Sequence, residues 1–270
     1  MTQPVCNQII GLIRFSYPST DGFSRIDADA DVRRARLYSA ARMETRFRLF
    51  THLTLPSLIA QLDQDFTLGI LIGSDMPETH AARLEKALAI YPRARVIIQP
   101  PRQHFAATQA AIRQLTNPDA THLTGFRLDD DDALDRNFIA RLRQRAAALL
   151  VMHGADRPVV IGCNHGLLLS LDPSGNRVER VTERLPIGIG LAMAAPKGFP
   201  ESIFRRNHRL VPQFYSTFTD AETPAFIRTV HAGNDSDPYA SGKRADISGE
   251  MLDRILADHF PFTAEQLRAL

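Results

Sequence analysis

The chain has 270 residues, 44% of them apolar and 23% charged, the proportions of an ordinary soluble globule, which excludes a disordered or low-complexity class. Its 32 basic and 30 acidic side chains leave a net charge of +2, too balanced to argue for a nucleic-acid partner. Two cysteines, Cys6 and Cys163, form neither a disulfide framework nor a zinc spacing. No apolar run reaches the ~20 residues that span a bilayer, so the expected location is cytoplasmic, with peripheral membrane contact left open.

Residues 8–15 (QIIGLIRF) predict a buried first strand, which the turn chemistry of Ser16, Pro18, Ser19, Asp21 and Gly22 ends. Loops after a first strand often bind ligands. Arg14 and Ser16 are therefore candidates to contact a nucleotide base or phosphate, against simply pairing with an acid and capping a turn. Residues 27–38 are Arg-rich and read as a surface helix or ordered loop. Met43, Phe47, Phe50 and Leu53 recur at helical spacing, and Leu55, Leu58 and Leu62 repeat it in a shifted register beside Pro56. Arg46 and Arg48 are expected on the solvated face of that helix.

Residues 66–73 (FTLGILIG) predict the second strand, followed by Asp75, which suits either a helix N-cap or a contact to a nucleotide base or ribose. A helix over 78–90, a third strand at 95–99 and a third helix marked by Phe105, Ile112 and Leu115 lead to a fourth strand at 121–128. Four strand–helix repeats predict a doubly wound parallel sheet.

The fourth strand ends in Asp129-Asp130-Asp131-Asp132. Adjacent carboxylates repel, so a fold keeps such a cluster where a cation or donors offset the repulsion or water screens it. A divalent metal, Mg²⁺ or Mn²⁺, held by one or two carboxylates with phosphate oxygens and water completing its shell, fits and points to a nucleotide. The plainer reading is a solvated helix start, with acids complementing the helix dipole near Asn137. An EF-hand loop from Asp129 fails at Leu134 and Ala140, where Gly and Glu belong. A haloacid-dehalogenase-like phosphatase fails because the run lies mid-chain and Ala133 follows it.

Beyond a compositional break near residue 155, strands are expected at 158–163 and 166–170, and a turn at 172–176 leads into a strand at 177–182. That hairpin adds antiparallel pairing to the sheet. Residues 186–195 (PIGIGLAMAA) form a Gly-interrupted apolar run, either a packed strand or a place of close ligand approach. Helical pieces are expected near 200–206 and 224–230, then a polar loop through 230–236. Met251, Leu252, Ile255 and Leu256 predict a late helix, and Thr263 with Gln266 has capping-box spacing for a last one.

The segments Gly11-Leu12-Ile13-Arg14-Phe15-Ser16, Leu55-Pro56-Ser57-Leu58, Gln64-Asp65-Phe66-Thr67-Leu68, 126–134 and 231–236 together resemble the bacterial "putative rhamnosyltransferase" family, within the GT-A glycosyltransferases. The resemblance covers roughly residues 8–240. It implies an α/β, GT-A-like fold: a Rossmann-type, mostly parallel sheet with an antiparallel C-terminal extension, in a single domain over 1–270. Residues 8–155 would be the nucleotide-sugar-binding half, 156–240 the acceptor half and 241–270 a helical appendage.

The resemblance further implies transfer of a sugar, rhamnose by the family's label, from a nucleotide-sugar donor to a glycan or other hydroxyl acceptor, with Mn²⁺ or Mg²⁺ as cofactor. In its DxD motif Asp131 would bind the metal and Asp129 the ribose or a metal-bound water, with His231 as a late metal ligand. Arg14, Phe15, Ser16, Asp75, Arg127, Asp129 and Asp130 make up the implied nucleotide-sugar site. Many GT-A proteins carry a Pro-Thr/Ala-Tyr-Asn-like segment where this chain has Arg14-Phe15-Ser16-Tyr17. An inverting enzyme also needs a carboxylate to take the acceptor's proton; Asp220, Glu222 and Asp235 are candidates, although Asp220 and Glu222 equally suit capping a helix. Two other functions compete. A sugar-1-phosphate nucleotidylyltransferase would want a Gly-rich basic phosphate loop, which residues 16–21 lack; a non-catalytic sugar- or cation-binding scaffold protein would bind without turnover.

Overall fold

Alternate residues of strand β1 (Asn7–Arg14) enter different apolar clusters, Ile9 and Ile13 one, Ile10 and Leu12 another, as expected of a strand buried on both faces. The structure is a computed structural model and describes residues 5–22, 29–234 and 242–270. After β1 come helices α1 (Ala30–Leu37) and α2 (Ala40–Leu49). A π-helical turn, Phe50–Thr54, joins α2 to α3 (Leu55–Ile59). The wider turn adds a residue to the helical repeat, so the predicted shift of register arises just before Pro56, which sits in the first turn of α3, where proline is tolerated.

Strand β2 (Thr67–Gly73), helix α4 (Glu78–Leu88), strand β3 (Ala94–Gln99), helix α5 (His104–Leu115) and strand β4 (His122–Asp129) follow as predicted. Strand β1 pairs in parallel with both β2 and β4. A Cβ on Gly11 would lie 2.4 Å from the Phe126 ring, so this central crossing requires glycine. The two-residue strand β5 (Ala133–Leu134) and helix α6 (Phe138–His153) come next.

Strands β6 (Val159–Cys163) and β7 (His165–Ser170) are separated by Asn164 alone, yet belong to different sheets. The predicted hairpin pairs β7 with β8 (Arg177–Thr182) antiparallel. Of residues 186–195, only the end joins a strand, β9 (Ala192–Pro196), antiparallel between β4 and β6. After β10 (Ser216–Asp220) and β11 (Phe226–Val230), β12 (Lys243–Asp246) precedes helices α7 (Gly249–His259) and α8 (Ala264–Arg268). The capping box of α8 forms as predicted, Gln266 N donating to Thr263 Oγ1 and Thr263 N to Gln266 Oε1.

Two expected helices are absent. Residues 226–230 are β11, flanked by β7 and β5; so short an apolar run has no decisive period, and its Ile, Thr and Val favour a strand. Residues 200–206 form turns, and the helical piece is a 3₁₀ segment, His208–Gln213.

The larger sheet thus runs β10-β6-β9-β4-β1-β2-β3, mostly parallel, and a second, mixed sheet runs β12-β8-β7-β11-β5. A main core on one face of the larger sheet takes in α2, α3, α4 and α6. A second lies against α5, and a third joins the second sheet to α7 and α8 through Leu252, Leu256 and Phe260. Among the described residues no helix is long and apolar enough to cross a membrane.

Candidate functional site

Arg14 and Asp129 are in register where β1 and β4 end, so the four carboxylates emerge just beyond the carboxyl ends of the central parallel strands, the ligand-binding edge of an open α/β sheet. A cleft of about 730 Å³ opens there, lined by Arg14, Ser16, Arg46, Arg127 and the acidic turn on one part of its wall, and by Glu183, residues 185–189, residues 204–209 and Arg228 on the rest.

Each aspartate has its own partners. Asp129 Oδ1 accepts from Arg14 Nη2 at 2.8 Å. Asp130 Oδ1 and Asp131 Oδ2 both accept from Arg46 Nη1, at 2.6 and 2.7 Å. Asp132 Oδ1 accepts from Thr229 N at 2.9 Å. Arg46 is buried, and its Nη2 donates to Gly233 O at 3.0 Å, which corrects the expected solvated position: two buried carboxylates need a cation between them, and a guanidinium can serve both. Further along, on α3, Ser57 Oγ accepts from Leu134 N, and Gln61, just past the end of α3, donates to Asp135 O while accepting from Ile139 N.

The partners sort the proton affinities. Burial acts to raise Asp129, but Arg14 and Arg127 hold it below the usual carboxylate range. Asp131 is likewise lowered, Arg46 and the His231 hydrogen bond outweighing burial. Asp130 is pushed up to about 6 by burial and by Asp131, and Asp132 is raised well above its ordinary value by burial and by its acidic neighbours. The cluster therefore holds less negative charge at neutral pH than four free aspartates. On the same cleft, burial and nearby arginines depress His104 to about 2 and His208 to about 3, leaving both imidazoles neutral.

His231 Nε2 lies 3.0 Å from Asp131 Oδ2, and the Asn234 amide reaches the same oxygen at 3.3 Å. Two ligands at right angles on an ion with bonds of about 2.1 Å stand ~3.0 Å apart. Asp130 Oδ2 is buried with no hydrogen-bond partner among the described residues. That spacing suits Asp131 and His231 sharing a hard divalent ion, for which Asp131 Oδ2 would have to give up its contact with Arg46 Nη1 at 2.7 Å. His231 Nδ1 accepts from Gly233 N at 3.1 Å, so ligation through Nε2 would require that contact to open and the ring proton to move to Nδ1. Asp129 does not join the pair, being turned to Arg14, and no set of three His, Cys, Asp or Glu ligands gathers among the described residues.

The remaining expected site residues divide. Ser16 lines the cleft with φ of 46°, the one described non-glycine residue in the left-handed region, and its Oγ is buried with no hydrogen-bond partner among the described residues. Such strain clusters at ligand sites. Arg127 also lines the cleft, its guanidinium beneath Gly188, where a Cβ would meet it at 3.2 Å. Phe15, by contrast, is in the core, packed on Phe47 and Phe50 with ring centroids 4.9 and 5.2 Å away, because it points to the opposite face from Arg14. Asp75 caps no helix and does not line the cleft; it accepts from Tyr38 Oη at 3.0 Å. Asp220 ends the edge strand β10, ion-paired to Arg145 and capping the turn at Glu222 and Thr223, and neither it nor exposed Glu222 lines the cleft. Asp235 lies outside the described residues.

Sequence reasoning missed Arg46, His104, Glu183, His208 and Arg228. Arg42 and Arg46 stand four residues apart beside Met43 and Phe47, and that pairing on a buried face was the available signal for Arg46. His104 opens α5 and His208 opens the 3₁₀ segment, while Glu183 and Arg228 reach the cleft through long-range strand pairing.

An α/β fold with an acidic turn at its ligand-binding edge defines the class. The family model described as "Putative rhamnosyl transferase" matches residues 8–243. The chain belongs to this family, and so to a family of glycosyltransferases. Among functionally curated proteins, no sequence matches it. Solved structures show distant likeness. S. aureus TarS 1-349 in complex with UDP-GlcNAc is 11% identical, with a TM-score of 0.42 over 93% of this chain and 66% of that one. The mannosyltransferase PcManGT from Pyrobaculum calidifontis, in complex with GDP-Man and Mn²⁺, is 11% identical, with a TM-score of 0.45 over 84% and 58%. A "Putative Glucose-1-Phosphate Thymidylyltransferase" from Bacillus anthracis is also 11% identical, with a TM-score of 0.37 over 96% and 98%. The chain thus spans about two thirds or less of the length of the first two.

Proposed function

We propose that the protein transfers a sugar, rhamnose by its family's description, from a nucleotide-sugar donor to a hydroxyl of a glycan or other acceptor. Residues 8–155 would hold the donor and residues 156–240 the acceptor. The observation that carries this reading is the acidic turn, sealed by Arg46 and set beyond β1 and β4 in an arginine-lined cleft.

A diphosphate entering the cleft meets Arg14 and Arg127, whose charges are fixed before it arrives, so little reorganisation opposes the charge that develops on the leaving group. Ser16 and Asp129 stand at the end of β1 and β4 to meet the nucleoside. Asp131 and His231 are the residues that would hold Mn²⁺ or Mg²⁺, which when bound would help neutralise the diphosphate.

The test is a thermal-shift panel of UDP-, GDP- and dTDP-sugars with and without Mn²⁺, followed by turnover. One nucleotide is expected to stabilise the wild type. Asp131→Asn should fold, since it removes repulsion, but lose on the order of 10²–10³-fold in nucleoside diphosphate release. Release of pyrophosphate instead would assign a nucleotidylyltransferase, and binding without turnover a sugar-binding scaffold.

A further inference from the structure

The parts of the cleft wall are not matched in charge. At the strand ends arginines meet acids, Arg14 with Asp129 and Arg46 with both Asp130 and Asp131. On the rest of the wall two consecutive arginines, Arg205 and Arg206, share a single carboxylate oxygen, Glu201 Oε1, at 3.3 and 3.1 Å. Two guanidinium charges on one acid leave that stretch positive.

The pair is held in place by its neighbours. The Arg205 guanidinium lies over the Phe105 ring at 5.0 Å and that of Arg206 over the Phe214 ring at 4.3 Å, contacts that restrain both before any ligand arrives. Tyr215 Oη donates to Glu201 Oε2 and fixes the shared carboxylate. Arg205 gives Glu201 only its Nε–H, so its two terminal amino groups have no hydrogen-bond partner among the described residues, and its side chain is 46% exposed. Arg206 Nε is buried with no hydrogen-bond partner among the described residues. An exposed ion pair adds little to stability, so folding gives no reason to set a second arginine on Glu201. A guanidinium's parallel N–H groups do match the two oxygens of a carboxylate or phosphate.

We infer that Arg205 and Arg206 form an anion subsite for the acceptor, so that the glycan receiving the sugar carries a carboxylate or phosphate; the assignment rests on the glycosyl-transfer reading above. The donor's own negative charge lies on its diphosphate, assigned above to Arg14 and Arg127, whereas Arg205 and Arg206 belong to residues 156–240, the half proposed for the acceptor. Phe105, stacked on Arg205, follows His104, whose Nδ1 lies 3.4 Å from Arg14 Nη1. The subsite therefore adjoins the donor end of the cleft, and an acceptor anchored there by its anion is held beside the donor. Charge of this kind selects the partner as well as holding it, since a neutral sugar leaves the arginines unmatched.

Ligand-observed NMR on the full chain tests this, with the nucleoside diphosphate of whichever donor stabilises the wild type filling the donor site. Matched probes isolate the charge: trigalacturonate against its methyl ester for a carboxylate, and glucose 6-phosphate against glucose for a phosphate. In at least one arm the anionic member should bind about 10–100-fold more tightly than its neutral partner, and that arm names the anion. Arg205→Gln/Arg206→Gln should abolish the preference and keep the donor-induced thermal shift. Should the double variant fail to fold, Arg205→Gln alone and the wild type in rising NaCl, which screens an exposed charge, carry the decision; both should weaken the preference. Equal or undetectable binding of both members in both arms, or a preference that the variants retain, overturns the assignment. So does loss of the donor-induced shift, which would give the arginines to the diphosphate. A wild type that neither binds nor cleaves any donor defeats the glycosyl-transfer reading itself, and the same probes without nucleotide then still show whether the arginine pair binds an anion.

Discussion

Two acids meet arginine in this protein in different settings. At the acidic turn, Arg46 is buried between Asp130 and Asp131 inside the cleft; at the sheet edge, Asp220 meets Arg145, which is 21% exposed, and also caps its own turn. Both end strands in the structure, although the sequence offered Asp220 as a base candidate or a helix cap. The first is a charge cluster that the fold must neutralise in order to keep, and the second is a local brace. A place at a strand end is therefore not enough to identify a functional carboxylate; what else it holds decides.

The largest expected effect breaks the first setting. Arg46→Met should cost about 3–5 kcal/mol of stability by leaving buried carboxylates without a cation, measured by urea unfolding at pH 7, and Asp131→Asn added to it should recover part of the loss. A cost below ~1 kcal/mol would mean that the turn is solvated. A smaller effect tests the second. Asp220→Asn should cost about 1–3 kcal/mol through its hydrogen bonds and ion pair, with nucleotide-sugar stabilisation in thermal shift unchanged. Because burial is outweighed at Asp220 and its proton affinity is lowered, its contribution is present above the ordinary aspartate range and lost as pH falls below it.

A third test separates the cleft's neutral imidazoles from its acids. His104 and His208 are depressed to about 2 and about 3, so below pH ~6.5 the unfolded chain binds protons that the folded one refuses, and their penalty grows as pH falls. Asp130, raised to about 6, acts in the opposite sense, but equally in any variant that keeps it. The stability difference between His104→Gln/His208→Gln and wild type, followed by urea unfolding from pH 7 to pH 4, should move toward the variant as pH drops. A flat difference would mean that both rings are solvated.

The sequence showed the first half of this fold well because each strand there is followed by its own helix, and the acids fall at a strand end that periodicity locates. Arg46 was legible only as one of two arginines beside apolar neighbours, since periodicity cannot tell a buried cation from a solvated one. Phe15 was drawn into the site by adjacency to Arg14, although successive strand residues face opposite ways. The second half hid more. Glu183 and Arg228 reach the cleft because β8, β7 and β11 pair across long separations, and no local pattern records that pairing. The one-residue crossing at Asn164 likewise looks like any short loop.

The π-helical turn at Phe50–Thr54 sets a phase. Arg46 before it grips the acidic turn, while Ser57 after it, and Gln61 just past the end of α3, hold the backbone of residues 134–139 that follows the turn, so this run of chain works as a two-jawed clamp. Each residue advances a helix by about 100°. Removing one from the bulge would swing one jaw off its target while leaving composition and hydropathy nearly untouched, so the spacing between Arg46 and Ser57 is a length constraint on how this chain can vary.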